Sequence, residues 1–555
     1  MSMPSTIFLR KCLLGGFVFV LSLHPWILYG LRGPSSDGIR LLYSAVGKFG
    51  LMDIGWEDLL LTGGVSLFLA PILYIVRGPY FFWIGSAILA MSTLLGTFYF
   101  WAIFRQLLTS FWSASVAILL VAMHPFIHQM QYFWMTEAAY IAFLLFGLYQ
   151  ASVYIVSGLR SSIVKSSFFL FLAVVARPQA CLAYPLVTCV VLIAAIRPLG
   201  GEIMISLKRR FADVILFVLL GASLSIPIRY LNHLHHGTWQ FSKYLGKNLT
   251  FYLHGAYDRD NGPVSAQLWE RSNSILNDHA WTQLGQQKLQ CGGLRGETND
   301  SSLYVPPIEN LQLWAKRPCE HPFWFYLYQK AYNEAIDITG YYHVTSYLGP
   351  STIFYLFTND WSRSDDLAVQ VWWEAVKKHP LRYLQWGSHW SKGYFTWMSE
   401  NPNEWHAGFA SRYMLDDYAK NERCVLPLHS GMIEGRAWGG LAFTYPKIVN
   451  IYSLMRRVYS DFMTYVKKTT IVFSPFLILI AFRAGRPLHF WFLVTSLAVH
   501  LVSASSMAFV VGFHHRYSMP MEFFSIFYLA SWIDFTIQRY SNRQSSDELR
   551  RVPSI

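Results

Sequence analysis

Charge is scarce in this chain. Asp, Glu, Lys and Arg make up 14 % of its 555 residues, against roughly 25 % in a soluble domain. That shortage excludes a soluble enzyme and a charged disordered tail. Cysteine is scarce too, and six in this length cannot build a disulfide scaffold. No G-x-x-x-x-G-K-[ST] loop occurs, and no dinucleotide fingerprint follows a strand pattern. Neither nucleotide-driven transport nor dinucleotide chemistry therefore has support. An H-E-x-x-H motif, a Cys-rich zinc spacing, internal repeats, heptad runs and low-complexity tracts are all missing.

What is abundant is apolar surface. Hydrophobic residues account for 53 % and aromatics for 17 %, and the mean hydropathy is +0.29. A membrane span needs about 20 apolar residues. That rule predicts an α-helical polytopic membrane protein with about ten spans, at about 12–29, 82–103, 112–127, 138–157, 166–176, 179–196, 212–230, 467–482, 488–511 and 517–537. The first lacks a small-residue cleavage site and reads as a retained anchor. The fifth and sixth are short and read as a broken pair.

The basic residues then sort to one side. Arg105, Arg160, Lys165, Arg197, Lys208, Arg209, Arg210, Arg483 and Arg486 fall in short loops on the side of Arg10, as does the tail with Arg539, Arg543, Arg550 and Arg551. By the positive-inside rule that side, with both termini, is cytoplasmic. The net charge of +13 is thus largely a topology signal, and no nucleic-acid partner is expected.

Four regions follow: an N-terminal membrane module over 1–230, an exported region over 231–466, C-terminal spans over 467–538 and a basic cytoplasmic tail over 539–555. The exported region, rich in Trp, Tyr, Gly, Asn and Asp, is expected to be large and structurally mixed. The module includes a first exported loop at 30–81. Its apolar stretch 59–77 would invert every later loop if it crossed, so it is read as an interfacial or re-entrant helix interrupted by Gly63, Gly64 and Pro71. Cys291, Cys319 and Cys424 lie in the exported region; they allow one disulfide whose pairing the sequence leaves open. Asn248 and Asn299 head two exported sequons.

Isolated acids stand at the outer mouths of spans, where charge is expensive. Asp37 follows the first span in Gly33-Pro-Ser-Ser-Asp37-Gly, and Glu137 opens the fourth in Phe133-Trp-Met-Thr-Glu137. Each has a plain structural account, Asp37 as a helix N-cap and Glu137 as a first-turn acid. Each also has a functional one, as a group that binds or deprotonates a substrate.

Other pieces occur in order along most of the chain. They are Asp37 with Tyr43 and Ala45, Pro71 leading to Gly78-Pro79, Thr136-Glu137, Ala176-Arg177-Pro178, Asn232 with Gly237, Gly246-Lys-Asn248-Leu249, His379-Pro-Leu-Arg-Tyr383-Leu384 trailed by Lys392, and His515-Arg516-Tyr517-Ser-Met-Pro520. In this the chain resembles the GT-C class of membrane glycosyltransferases, in particular the family-39-like branch with protein O-mannosyltransferases and the lipid A aminoarabinose transferase. Two features depart from that pattern. Gly38 stands where many relatives carry a second acid, and the exported insertion is long and precedes only three spans.

The resemblance implies a sugar donor linked to polyprenyl phosphate and an acceptor hydroxyl on a lipid, a cell-wall glycan or a protein such as a pilin. It implies inversion at the sugar, with Asp37 as general base. Fixed cations would stabilise the departing phosphate: Arg177 and Arg516 first, then Lys243, Lys247 and Arg229. Glu137, Tyr43, Tyr517 and His515 are expected to hold the acceptor or support the site. Arg177 and Arg516 equally suit side chains anchored at the headgroups. No cofactor is required, although a divalent metal on Glu137 with His124 and His128 is compatible with the residues. The expected location is a bacterial inner membrane with a periplasmic site, or the ER membrane with a lumenal one. The competing readings are an oligosaccharide ligase or polymerase of the same class, and a lipid flippase or transporter. The sugar is left open.

Overall fold

Long apolar stretches leave the backbone little choice. In hydrocarbon each N–H and C=O must be bonded within its own segment, which an α-helix does. The computed structural model describes residues 3–29, 81–124, 136–196, 206–243, 259–267, 361–396, 446–511 and 515–551, with positions 249 and 358. Among them it is all-helical, with no strand.

In chain order the helices are α1 (Met3–Ser22), α2 (His24–Tyr29), α3 (Phe81–Leu107), α4 (Phe111–Met123), α5 (Glu137–Ser157), α6 (Arg160–Ala176), a 3-10 turn (Pro178–Leu182), α7 (Ala183–Ile196), α8 (Leu207–His236), α9 (Trp361–Lys378), α10 (Pro380–Thr396), α11 (Pro446–Arg483), α12 (Pro487–Val511) and α13 (His515–Arg551). Five segments are long and apolar enough to cross a membrane: Ala87–Leu107, Ala139–Ser157, Pro178–Ile196, Leu207–His235 and Pro487–Val510. A sixth exists if Arg457–Thr470 and Val472–Arg483, bent by 64° within α11, act as one. The protein is therefore an integral membrane protein with five or six such helices among the described residues.

Several expected boundaries shift. Of the span expected at 112–127, the described residues form a helix from Phe111 to Met123 that ends at His124, about 20 Å at 1.5 Å per residue against a bilayer core of about 30 Å. The short fifth segment begins earlier, at Arg160. The exported region's expected end at 466 falls inside α11, which starts at Pro446. Pro475 has no N–H to give the carbonyl of Ile471, and the bend falls at that position. Residues 30–80 of the first loop and the exported cysteines lie outside the described residues, as does Asn248.

Without a hydrophobic drive between helices in lipid, close packing and polar contacts hold the bundle. Helices α5 and α6 form a hairpin closed by Gly158 in the left-handed conformation (φ 67). A Cβ at Gly147 would run into the Leu170 side chain, so glycine permits this approach, and Ser166 Oγ donates to the Gly147 carbonyl at 2.8 Å. Helix α12 lies centrally, against α5, α7, α10, α11 and α13. Phe104 of α3 stacks on Phe523 and Phe527 of α13, and Phe492 of α12 meets Phe527 edge-on.

The basic end of the bundle is pinned by two buried acids. Asp213 of α8 accepts from Arg160 Nε at 2.7 Å and from the Tyr154 hydroxyl at 2.9 Å. Asp534 of α13 accepts from the backbone N–H of Ser110 at 2.6 Å and of Thr109 at 3.2 Å, and from Arg486 at 2.7 Å.

Two amphipathic helices lie at the other end. Pro380 starts α10 directly after α9, and the Tyr383 hydroxyl donates to the Phe509 carbonyl at the end of α12, at 2.6 Å. A Cβ on Gly387 would meet the Phe509 ring. The His-Pro-x-x-Tyr stretch is thus a docking device. Asn232 likewise straps the chain after α8, donating to the carbonyls of Gln240 (2.9 Å) and Phe241 (3.1 Å) beyond the left-handed Gly237 (φ 65).

Candidate functional site at the end opposite the basic loops

The sequence Ala176-Arg177-Pro178 breaks a helix. The residue before a proline avoids the helical region, and Arg177 is extended (φ −149, ψ 112). The chain then makes the 3-10 turn and enters α7. This places Gln179 against the first turns of α5 and α13 and the last turns of α12, where they enclose a cavity.

The cavity is about 20 Å³, room for one water or one hydroxyl. Tyr140, Gln179, His500 and Ser503 supply its polar groups, and apolar side chains including Met507, Pro520 and Met521 the rest. Tyr140 is hydrogen-bonded to the Gln179 side chain. His500 is buried and its Nδ1 is bonded to the Ser496 carbonyl. The ring's other backbone partner is the Pro520 carbonyl.

Among the charged sequence candidates, three lie within about one turn of this cavity along the chain. Glu137 is three residues before Tyr140, Arg177 two before Gln179, and Arg516 four before Pro520. Glu137 opens α5, while His515, Arg516 and Tyr517 open α13. Helices distant in sequence therefore bring these backbone positions to one end of one bundle.

The remaining candidates divide. Lys243 is buried and paired with Asp366 of α9 at 2.7 Å, so its ammonium is committed to a carboxylate. Arg229 donates to Ser225 Oγ within its own helix at 3.0 Å. Asp37, Tyr43, His128 and Lys247 lie outside the described residues. His124 ends α4 and is engaged with a group that the spacing did not single out, Glu522. Among the described residues no group of three or more His, Cys, Asp or Glu could hold a metal.

That engagement belongs to a second polar centre, deep in the bundle. His124 Nε2 donates to Glu522 Oε2 at 3.0 Å, and Lys467 Nζ donates to Oε1 at 3.4 Å. All three side chains are fully buried. The Tyr459 ring lies edge-on to His124, and its hydroxyl donates to the Leu120 carbonyl at 2.8 Å. Glu522 stands twelve residues before Asp534 on α13, about 18 Å along the helix. The signal for it in the sequence is an acid inside Met519-Pro-Met-Glu522-Phe-Phe. His500, Tyr140 and Gln179 give no such signal, because neutral polar residues are ordinary in apolar runs.

No known protein family, curated protein or solved structure matches this chain.

Proposed function

We propose that the protein is an integral-membrane glycosyltransferase that moves a sugar from a polyprenyl-phosphate donor to an acceptor hydroxyl. One observation carries this reading: Glu137, Arg177 and Arg516 all stand within about a turn of one polar cavity, at the end of the bundle away from the basic loops. In this reading the short α1 and α4, the bent α11, and α6 and α13 also cross, giving ten crossings of a GT-C-like bundle. The basic end is cytoplasmic. The site then faces the periplasm of a bacterial inner membrane, or the ER lumen.

The chemistry asks little of the protein. The acceptor oxygen forms a bond to the anomeric carbon while the bond from that carbon to the phosphate oxygen breaks. The phosphate departs with the electron pair, and the acceptor proton passes to Asp37. Attack from the face opposite the leaving group inverts the sugar. Phosphate leaves readily, so no general acid is needed. Arg177 and Arg516 stabilise the charge that grows on it, and Glu137 orders the acceptor side. The larger donor and acceptor of an oligosaccharide ligase would use the same groups.

A second reading has its own observation. Ionisable groups buried in a membrane bundle often mark a transport path, and Lys467, Glu522 and His124 are such groups. Their mutual pairing favours a structural role, and an assay separates the two. Membranes with the parent or Asp37→Asn are given radiolabelled polyprenyl-phosphate sugars and acceptor fractions. The expected result is transfer by the parent and a loss of about 100-fold in the variant at equal insertion. Equal transfer by both removes Asp37 from the mechanism. Transfer by neither, with flipping of the labelled lipid, supports the transporter.

A further inference from the structure

We propose that Arg160, Lys208 and Arg209 form a binding site for the phosphodiester headgroup of an anionic phospholipid, in the leaflet on the basic side of the bundle. The site lies at the end away from the proposed transfer centre and does not rest on the glycosyltransferase reading.

Depth in the membrane is the first argument. The candidate span Ala139–Ser157 ends on this side, and Leu207–His235 begins on it. Arg160 stands three residues past Ser157, and Lys208 and Arg209 directly follow Leu207. Cations within a turn of a span end lie at the level of the headgroups.

The positive-inside rule asks only for charge in a loop, but these side chains are also fastened. Asp213, whose side chain is fully buried, accepts from Arg160 Nε at 2.7 Å on one oxygen and from the Tyr154 hydroxyl at 2.9 Å on the other. Arg209 Nε stands 3.9 Å from that second oxygen, and Arg209 Nη2 donates to the Gly158 carbonyl at 3.2 Å. Arg210, itself buried, donates to the Ile155 carbonyl at 3.4 Å. Guanidinium groups from the starts of α6 and α8 thus meet at the end of α5. Two of them still face outward, since the Arg160 and Arg209 side chains are 58 % and 54 % exposed. A planar guanidinium fork held in place matches phosphate oxygens.

The acyl chains have a track beside these cations. Leu207, Phe211, Ile215 and Leu219 are exposed and recur at every fourth position of α8, on one face of the helix. Lys208, also exposed, stands between the first two. An apolar stripe that leads from fixed cations into the membrane fits both parts of a phospholipid, whereas a free phosphate would use only the cations. Basic pockets between spans hold anionic headgroups in this way.

The test is a lipid titration. The full-length protein in a neutral detergent receives phosphatidylglycerol or phosphatidylcholine with the same acyl chains, and bound lipid is counted by native mass spectrometry. Phosphatidylglycerol is expected to bind the parent more tightly. One cation at the headgroups is worth about fivefold. Lys208→Gln with Arg209→Gln should therefore weaken phosphatidylglycerol by about 25-fold and phosphatidylcholine far less. This double variant leaves Asp213 its close partners Arg160 and Tyr154, so the tie between the helices is kept. Arg483→Gln with Arg539→Gln removes the same charge from two other exposed positions, and on the scale of that 25-fold loss should change affinity by less than about threefold. Equal losses in the two double variants, or no loss in the first, overturn the site, because the attraction is then diffuse. Displacement of phosphatidylglycerol by inorganic phosphate at matched ionic strength overturns the lipid assignment, because the anion alone then accounts for binding.

Discussion

Lys467 Nζ lies 3.4 Å from Glu522 Oε1, and neither side chain reaches solvent. The two come from α11 and α13, and the other Glu522 oxygen is taken by His124 at the end of α4. Three helices are thus tied at one carboxylate. Removing one member of a buried pair strands the other charge, at about 3 to 5 kcal/mol, whereas neutralising both is often harmless. Lys467→Met is therefore expected to lower thermal stability in detergent sharply. Lys467→Met with Glu522→Gln keeps an acceptor for His124 and removes both charges, and is expected to recover to within about 1 kcal/mol of the parent. A double variant as unstable as the single one would show that charge balance is not the cause.

Asp534 makes a matching prediction at the basic end. Its carboxylate receives the Thr109 and Ser110 N–H groups where α4 begins, and Arg486 from the start of α12. Asp534→Ala leaves two backbone donors and a mostly buried guanidinium without their acceptor, a loss on the order of 3 kcal/mol. Arg486→Ala leaves Asp534 with its backbone donors and is expected to cost less. Hydrogen exchange adds the local readout: the first turn of α4 should lose protection in the Asp534 variant. Unchanged exchange there would refute the capping role.

How far these ties were legible depends on the distance along the chain. Apolar runs announced α3, α5, α7, α8 and α12, because length and composition are local properties. The basic loops announced the Arg160, Arg209 and Arg486 end for the same reason. The early stop of α4 at Met123 was not legible, since Pro125-Phe-Ile continues the apolar pattern. Nor was the start of α11 at Pro446, because its first half mixes Arg456 and Arg457 with apolar positions. Glu522 was visible as an acid in an apolar run, but its partners lie 398 and 55 positions away, and one sequence carries no record of such contacts. The charged candidates Glu137, Arg177 and Arg516 could be read at helix ends. The neutral polar wall of the cavity could not.

Tyr383 links the amphipathic α10 to α12 through the Phe509 carbonyl. Burial pushes its hydroxyl up to about 12, from 10. The neutral phenol is the form that folding favours, so this contribution is complete below pH 10 and is lost as pH rises toward 12. Tyr383→Phe is expected to cost about 1 kcal/mol at pH 8, the worth of one hydrogen bond. The difference in Tm between parent and variant should stay level to about pH 10 and shrink above it. A difference that is constant through pH 11 would mean that the hydroxyl does not hold α10 in place.

Arg177 is the residue on which catalysis and stability are most easily confused. It closes α6, and a cation there interacts favourably with the helix dipole, by about 0.3 to 1 kcal/mol. Arg177→Gln removes that contribution, and a small fall in Tm is expected from either role. Catalysis predicts more. Charge grows on the phosphate only as the bond to the sugar breaks, so a cation aimed there is felt chiefly in kcat. Removing a fixed group of this kind costs about 100- to 1000-fold. Arg177→Lys keeps the charge and the dipole interaction but gives up the planar fork, and should retain a measurable fraction of transfer while matching the parent in Tm. The diagnostic pattern is a Gln variant of near-parent stability with kcat down by two orders of magnitude or more and KM for the lipid donor changed far less. If kcat and Tm instead fall together in proportion across both variants, Arg177 serves the fold, and the phosphate must be held by Arg516 without it.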